Sequence, residues 1–399
     1  MPQYLPGFKA GGIVRSVAAL VDGLKDEFNF KIICGDRDAG DLQPFASEPI
    51  GRWCEYGAAK VLRIPPGLAG ARMMIRSLRQ ESYDALYING IWPRVYSMLP
   101  LACRRMGLLP PRRVVLAPRG ELTDGAFSLK HKRKLFYLKL SAWLGFYQGI
   151  IWHGSTDLEE TGIRRSIGDF PVVNDPSFRS VNPKVNGKRE TGAIAIAKDM
   201  HLISLGVGRK KSAKAAGQLR IVFVSRISPK KNLLGALTLL QNLSGDVLFD
   251  VYGPAEDSEY WDRCKKIINT LPANIRVEYK GAIEHERVGE VFAEHDLFLF
   301  PTLAENFGHV ICEALVAGCP VLLSDQTPWR NLQQKGVGWD VSLDDEERFR
   351  AVLQECVDAD GDWYASLVAR ATEYGRMAAT DPEIIEDNRR MFRYATGMI

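Results

Sequence analysis

Two glutamates, Glu305 and Glu313, stand with seven residues between them in the stretch Leu303-Ala-Glu-Asn-Phe-Gly-His-Val-Ile-Cys-Glu-Ala-Leu-Val-Ala-Gly318. A buried-type run, Asp296-Leu-Phe-Leu-Phe-Pro301, leads in and reads as a strand. A small-residue helix leads out, and Cys319-Pro-Val-Leu-Leu-Ser324 reads as the next parallel strand. Glu305 is therefore expected in the loop after a strand, and Glu313 on the following helix. Gly308 is expected to open that helix, whose first N–H groups suit an anion such as a phosphate, with Asn306, Phe307 and His309 around it. An acid beside a phosphate site, with a second acid about two turns on, suits a nucleotide-linked sugar. One acid can face the reacting sugar while the other accepts bonds from ribose hydroxyls. The spacing alone also fits a loop acid followed by a solvated helical acid.

A second cluster sharpens the reading. Leu219–Ser225 is strand-like, and Arg226-Ile-Ser-Pro-Lys-Lys-Asn232 follows it before a helical pattern. Arg226 and Lys231 thus fall in another strand-to-helix turn, where a doubly wound sheet gathers its ligands. A planar fork and a point charge together suit a diphosphate. Gly11-Gly12, ahead of a helix from about Ile13 to Leu24, would let backbone approach a phosphate or sugar closely.

These three clusters, in this order, resemble the family-four retaining glycosyltransferases of the GT-B fold, over most of the chain. Asn306-Phe-Gly-His309 and Pro320-Val-Leu-Leu-Ser-Asp-Gln-Thr-Pro-Trp329 look most like bacterial members that build exopolysaccharide, capsule or lipopolysaccharide glycans. The resemblance implies an α/β architecture of two doubly wound Rossmann-like domains facing a cleft. It implies transfer of a hexosyl group, with retention, from a nucleoside-diphosphate sugar to a glycan or polyprenyl-diphosphate-linked acceptor. It also implies no further cofactor. Glu305 is then the residue placed to orient the sugar or attack it, and Glu313 a ribose binder. Arg119, after the strand Val114–Ala117, falls where relatives place donor- or acceptor-facing groups. His153 is a possible acceptor or sugar contact, although a satisfied loop histidine explains it as well.

The expected boundaries are an N-terminal domain over 1–205, a linker over 206–217, a nucleotide-sugar domain over 218–375, and a C-terminal helix over 376–399 packing back on the first domain. Strands are expected at Phe30–Cys34, Val61–Ile64, Ala85–Asn89, Val114–Ala117, Gly149–Trp152 and Ile194–Ala197, then at Leu219–Ser225, Val247–Tyr252, Ile275–Tyr279, Leu297–Pro301 and Pro320–Ser324. The polar segment Ser166–Glu190 reads as loop.

Two features depart from the family. The chain enters its Gly-Gly loop directly, and residues 1–10 hold only Tyr4, Leu5 and Phe8 as large apolar groups, broken by Pro2 and Pro6. They cannot supply the central strand that such a sheet needs. The first domain is therefore expected to lack its first strand, leaving a gap in mid-sheet, and the natural protein to start upstream with an apolar strand of about 5–6 residues. The usual Pro-Asn-Gly-φ-Asp turn is also not visible, with Ala197-Lys-Asp199 a loose stand-in.

Composition bounds the rest. At 399 residues the chain can hold two full cores. Seven cysteines (34, 54, 103, 264, 312, 319 and 356) without a C-x-x-C pair point to reduced thiols in a cytoplasmic protein. Residues 1–217 carry 33 Lys and Arg against 19 Asp and Glu, a charge of +14, while 218–399 carry 19 against 29, or −10. Lys130-His-Lys-Arg-Lys134 runs into the apolar Leu135-Phe-Tyr-Leu, which suits an anionic membrane surface, such as the inner face of the plasma membrane. A solvated helix face explains it equally. No nucleic-acid motif accompanies the charge. Asp36-Arg-Asp38 and Asp358-Ala-Asp360 are D-x-D strings outside the clusters, so no metal is expected. Two alternatives remain: a non-catalytic sugar-nucleotide-binding scaffold, and a GT-B-fold epimerase, for which no acid and histidine set is evident.

Overall fold

Val14, Val17, Ala18 and Val21 repeat at helical spacing, and that stripe is what the first helix, α1 (Gly12–Leu24), buries. The computed structural model describes residues 1–7, 9, 11–122, 131–168, 184–185, 188–189, 193–200, 214–255 and 257–399. The chain divides into two units: Met1–Leu202 with Pro382–Ile399, and Ile203–Asp381.

In the first unit α1 is followed by β1 (Phe30–Gly35), β2 (Trp53–Tyr56), β3 (Ala59–Ile64), α2 (Leu68–Gln80) and β4 (Ala85–Asn89). A π-helical turn, Arg94–Met98, runs into α3 (Leu99–Arg105). Then come β5 (Arg113–Ala117), α4 (His131–Trp143), β6 (Ile150–Gly154), α5 (Asp157–Ile167), the short pair β7 (Lys184–Val185) and β8 (Lys188–Arg189), and β9 (Ala193–Ile196). The segment expected as loop over Ser166–Glu190 thus contains β7 and β8, and most of it lies outside the described residues. The larger strands form two sheets, β1-β3-β2 and β4-β5-β6-β9. The expected gap in mid-sheet is present: among the described residues no strand bridges β1 and β4. A cavity of about 740 Å³ lies there instead. The antiparallel β2, absent from the sequence reading, pairs with β3 across a tight turn at Gly57, whose φ of 57° favours glycine. The C-terminal helix, Pro382–Thr396, packs Met391 and Phe392 into a core shared with Ala19, Leu20, Leu24, Val115 and Ile151.

The second unit alternates strictly. Its elements are β10 (Gln218–Val224), a 3-10 turn (Pro229–Lys231), α6 (Leu233–Leu240), β11 (Asp246–Tyr252), α7 (Ser258–Ile268), β12 (Ile275–Gly281), α8 (His285–Glu294), β13 (Leu297–Phe300), α9 (His309–Val316), β14 (Val321–Ser324), α10 (Leu332–Lys335), β15 (Gly338–Val341), α11 (Glu346–Asp358) and α12 (Gly361–Ala379). All six strands pair in parallel in the order β12-β11-β10-β13-β14-β15. Strands buried on both faces read as continuous apolar runs, and Ile221–Phe223 and Leu297–Phe300 are buried throughout. Phe223, Phe249, Phe298 and Phe300 are fully enclosed, each worth roughly 1.5–3 kcal/mol relative to exposure. Lys214, expected in a linker, is buried here and donates to the carbonyls of Ala215, Val357 and Ala359.

Among the seven cysteines Cys54 is half-buried and the other six are buried, all as free thiols.

Candidate active site

The strand order of the second unit reverses between β10 and β13. In a sheet of this kind, ligands bind outside the carboxyl ends of the two strands at the reversal. The segment after β10 carries Arg226 and Lys231, and the loop after β13 carries Glu305.

These two segments are tied together by backbone. Leu303 N–H donates to the Lys230 carbonyl at 2.9 Å, and the Thr302 hydroxyl donates to the same oxygen at 3.1 Å. Asn232, held at φ 58°, caps α6 by accepting from Gly235 N–H, while its amide donates to Pro301 C=O at 2.9 Å. The result is a stitched pair of loops that brings Lys231 Nζ onto Glu305 Oε2 as an ion pair. Both side chains are mostly buried, 12% and 15% exposed, and the ammonium also lies 5.3 Å from the centroid of the Phe300 ring. Burial pushes the Glu305 carboxyl up, but the Lys231 ammonium, with Lys230 and the Asn306 N–H, more than reverses this and holds it below the usual range. Glu305 is therefore a fixed negative charge at neutral pH.

Gly308, at φ 80°, opens α9, and no side chain caps that helix start. A side chain at this position would meet Ile311 and Glu305. Phe307 and His309 pack rings at 5.2 Å, and Phe307 C=O accepts from the Trp329 indole N–H at 2.7 Å. Arg226 is exposed, and His309 is buried at the helix start. Glu313, one turn into α9, has His285 Nδ1 3.8 Å from Oε1. His285, Asn232 and Thr302 were missed by sequence reasoning. Asn232 could have been flagged as a polar residue before a helical pattern, but nothing in spacing marks His285.

In the first unit, Gly11 takes φ 76° as the N-cap of α1 and Gly12 is its first helical residue. Arg119 and His153 sit in a buried polar network, and for His153 this is the satisfied histidine that the sequence also allowed. Arg119, buried at φ 57°, pairs with Asp199 and donates to Asn89 Oδ1 and Tyr87 Oη, both at 2.9 Å. His153 Nε2–H donates to the Ala197 carbonyl at 2.7 Å, so Nδ1 must accept from the Tyr87 hydroxyl at 2.6 Å. Burial, reinforced by the Arg119 guanidinium, pulls His153 down to about 4. Both residues belong to a closed network that fastens the ends of β4, β5, β6 and β9. Ala197-Lys-Asp199, the loose stand-in, is the segment that completes it.

The D-x-D strings have local partners. Asp36 pairs with Arg37, Asp38 accepts from Lys9 and Ala39 N–H, and Asp360 caps α12.

Residues 207–374 match the family model described as "Glycosyl transferases group 1". The match lies within the second unit, Ile203–Asp381. A stretch of 137 residues, 33% of this chain, is 26% identical to the GtfA subunit of the UDP-N-acetylglucosamine–peptide N-acetylglucosaminyltransferase of Streptococcus parasanguinis, and spans 26% of that relative's length. At the level of fold, the chain is similar to Anabaena HepE, solved in complex with UDP and glucose: TM-score 0.64, 15% identity, 99% of this chain and 98% of that one covered. It is also similar to WaaG, a glycosyltransferase involved in lipopolysaccharide biosynthesis: TM-score 0.58, 13% identity, 100% and 98% covered. The fold is GT-B. In the second unit, Lys231, Glu305 and the start of α9 are the groups gathered at the sheet's reversal point.

Proposed function

We propose that the protein is a retaining glycosyltransferase that moves a hexosyl group from a nucleoside-diphosphate sugar to a glycan or lipid-linked acceptor in cell-surface polysaccharide synthesis. The observation that carries the reading is the Lys231–Glu305 pair, held by stitched loops at the sheet's reversal point in the unit that carries the group 1 match. UDP and glucose in the similar HepE structure support the donor class.

In the reaction, the bond from the anomeric carbon to the diphosphate oxygen breaks and negative charge grows on the leaving group. Arg226, Lys231 and the first amides of α9 at Gly308 and His309 face that charge; fixed donors of this kind are usually the largest catalytic contribution. Asn306 and Phe307 shape the loop that holds Glu305. Because Glu305 stays ionised, it cannot deliver a proton. Its work is to orient the sugar and stabilise the oxocarbenium-like transition state. Glu313, steadied by His285, takes the ribose. Gly11 and Gly12 supply amides to an anionic part of the substrate. Arg119 and His153 position backbone and leave the chemistry to others. Cationic groups take the place of a metal on the diphosphate.

The acceptor side favours a membrane. Helix α4 exposes Phe136, Leu140 and Trp143, spaced four and three residues apart, at 69%, 40% and 80%, with Arg133 and Lys139 exposed beside them. Apolar groups framed by cations suit the headgroup region of an anionic bilayer. Lys130 lies outside the described residues. Among the described residues no helix is long and apolar enough to cross a membrane.

The test is a screen of UDP-, GDP- and ADP-sugars for thermal stabilisation and turnover, with and without EDTA. One nucleotude class should stabilise and be turned over, and EDTA should leave the rate unchanged. Stabilisation without turnover on any acceptor would favour a scaffold. Inactivation by EDTA with rescue by Mn²⁺ would overturn the metal-free mechanism.

A further inference from the structure

The chain leaves β5 through a turn over residues 118–121, closed by Glu121 N–H donating to the Pro118 carbonyl at 3.2 Å. Both central residues take positive φ, Arg119 at 57° and Gly120 at 75°. Glycine adopts that region readily and arginine rarely. Arg119 is held there by Asp199, Asn89 and Tyr87. Gly120 N–H donates to Glu159 of α5, which also accepts from Ser155 N–H at 3.0 Å and from the Ser155 hydroxyl at 2.7 Å. Backbone held in a sparsely populated region by its surroundings points to a function. What this turn presents is Glu121.

The Glu121 side chain reaches the segment that follows β4. Oε2 accepts from Ile91 N–H at 2.5 Å, and Trp92 N–H donates to the same carboxyl. A Cβ added to Gly90 would stand 3.3 Å from Oε1. The carboxyl thus sits at the carboxyl ends of β4 and β5, neighbours in a parallel sheet, on the side where α/β sheets bind ligands. Two backbone donors use about half of a carboxylate's four acceptor positions. Burial raises Glu121 to about 7, against the pull of these N–H groups and of Lys134, and Glu159 adds to the rise. Near neutrality the group is present both ionised, with acceptor positions left over, and protonated, with an O–H to give. Phosphate suits only the second form and ammonium only the first, whereas a hydroxyl suits both. Trp92 adds a donor. Its indole N–H is shut from solvent and has no partner among the described residues, and its ring lies 5.6 Å from that of Tyr137 and 5.6 Å from the Lys134 ammonium. Buried donors without an acceptor are uncommon in folded proteins.

We infer that Glu121 and Trp92 form a hydroxyl-binding subsite of the first unit, and that it takes a neutral sugar of the acceptor. The acceptor role rests on the glycosyl-transfer reading; the recognition of a sugar hydroxyl rests on this loop pair alone.

The experiment labels the indole nitrogens with ¹⁵N and assigns the Trp92 signal from Trp92→Phe. The probes are the methyl glycosides of glucose, galactose, mannose and N-acetylglucosamine, with inorganic phosphate as the anion control. At least one glycoside should move the Trp92 signal saturably in the millimolar range, while phosphate leaves it in place. Glu121→Leu should weaken that binding at least about ten-fold. Glu121→Gln, whose amide can still accept and donate, should weaken it less. If Glu121→Leu fails to fold, as its other indole signals will show, Glu121→Asp takes its place with the same expected loss, because the carboxyl is withdrawn by one methylene. A Trp92 signal that no glycoside moves, that phosphate moves equally, or whose titration is unaltered by loss of the Glu121 carboxyl would overturn the subsite. Turnover of nucleotide sugars is scored separately. Glycoside binding without any turnover would keep the subsite and remove its acceptor role. Turnover with a silent Trp92 would keep the transfer reading and remove the subsite.

Discussion

Lys231 and Glu305 neutralise one another as an ion pair, so on the proposed function a diphosphate entering the site would compete for the same ammonium. Replacing Glu305 with Gln removes the competitor and leaves Lys231 for the phosphate. Glu305→Gln should therefore lose at least about a hundred-fold in kcat, because the fixed charge near the anomeric centre is gone, while affinity for the nucleoside diphosphate is retained or tightened. Calorimetry alongside steady-state kinetics checks this, and a parallel loss of affinity would assign Glu305 to binding. Lys231→Ala and Arg226→Ala should each weaken nucleotide binding and turnover by roughly ten- to hundred-fold, the scale of a charge-assisted bond of about 1.5–3 kcal/mol. Glu313→Gln and His285→Gln should mainly raise the donor KM; a kcat effect as large as that of Glu305→Gln would mean the two acids had been assigned the wrong way round. At this scale the sequence placed Arg226, Lys231, Glu305 and Gly308 at strand ends or a helix start, and Glu313 on the helix that follows, because spacing predicts such positions. It could not show that Arg119 and His153 are consumed by Asp199, Tyr87 and Ala197, since those partners come from distant strand ends.

The elements explain which parts of the fold were legible. Ala85–Asn89 was read to the residue, because an apolar run bounded by polar turns is a strong signal. The four-residue β2 and β15 were not read, since short strands with Trp, Cys and Gly carry little period. Helix α4 was read only as a basic run against apolar residues. Its fold adds that Phe136, Leu140 and Trp143 are left in solvent while Leu138 is buried. Replacing Phe136 and Trp143 with Ser should reduce binding to vesicles containing anionic lipid by at least ten-fold, with little change in melting temperature. Neutralising Arg133 and Lys139 should flatten the salt dependence, each charge contributing about 1 kcal/mol near the surface. Co-sedimentation at increasing salt measures both, and binding indifferent to all four residues would point to a soluble acceptor.

For the whole molecule, two buried groups of the first unit answer acid in opposite senses. His153 is neutral and held below its ordinary value, so the unfolded chain binds the extra proton first. Its contribution is complete above about pH 6.5 and is lost as pH falls toward about 4, in total roughly 3 kcal/mol. Glu121, which burial raises to about 7, acts in the opposite sense between about pH 4.5 and 7. The comparison that isolates the histidine is therefore between wild type and His153→Gln, whose amide can keep both hydrogen bonds. The wild-type melting temperature of the first unit should fall more steeply from pH 6.5 to 4; equal slopes would remove His153 from the balance. Following each unit separately needs a reporter, and the cysteines provide one. Cys34, Cys54 and Cys103 belong to the first unit, and Cys264, Cys312, Cys319 and Cys356 to the second. Burial pushes Cys264 up to about 11 and Cys312 up to about 12, so neither reacts until its surroundings open. Native-state alkylation followed by peptide mapping thus times the opening of each unit from within one unmodified chain, with half-buried Cys54 as the internal clock for reagent strength.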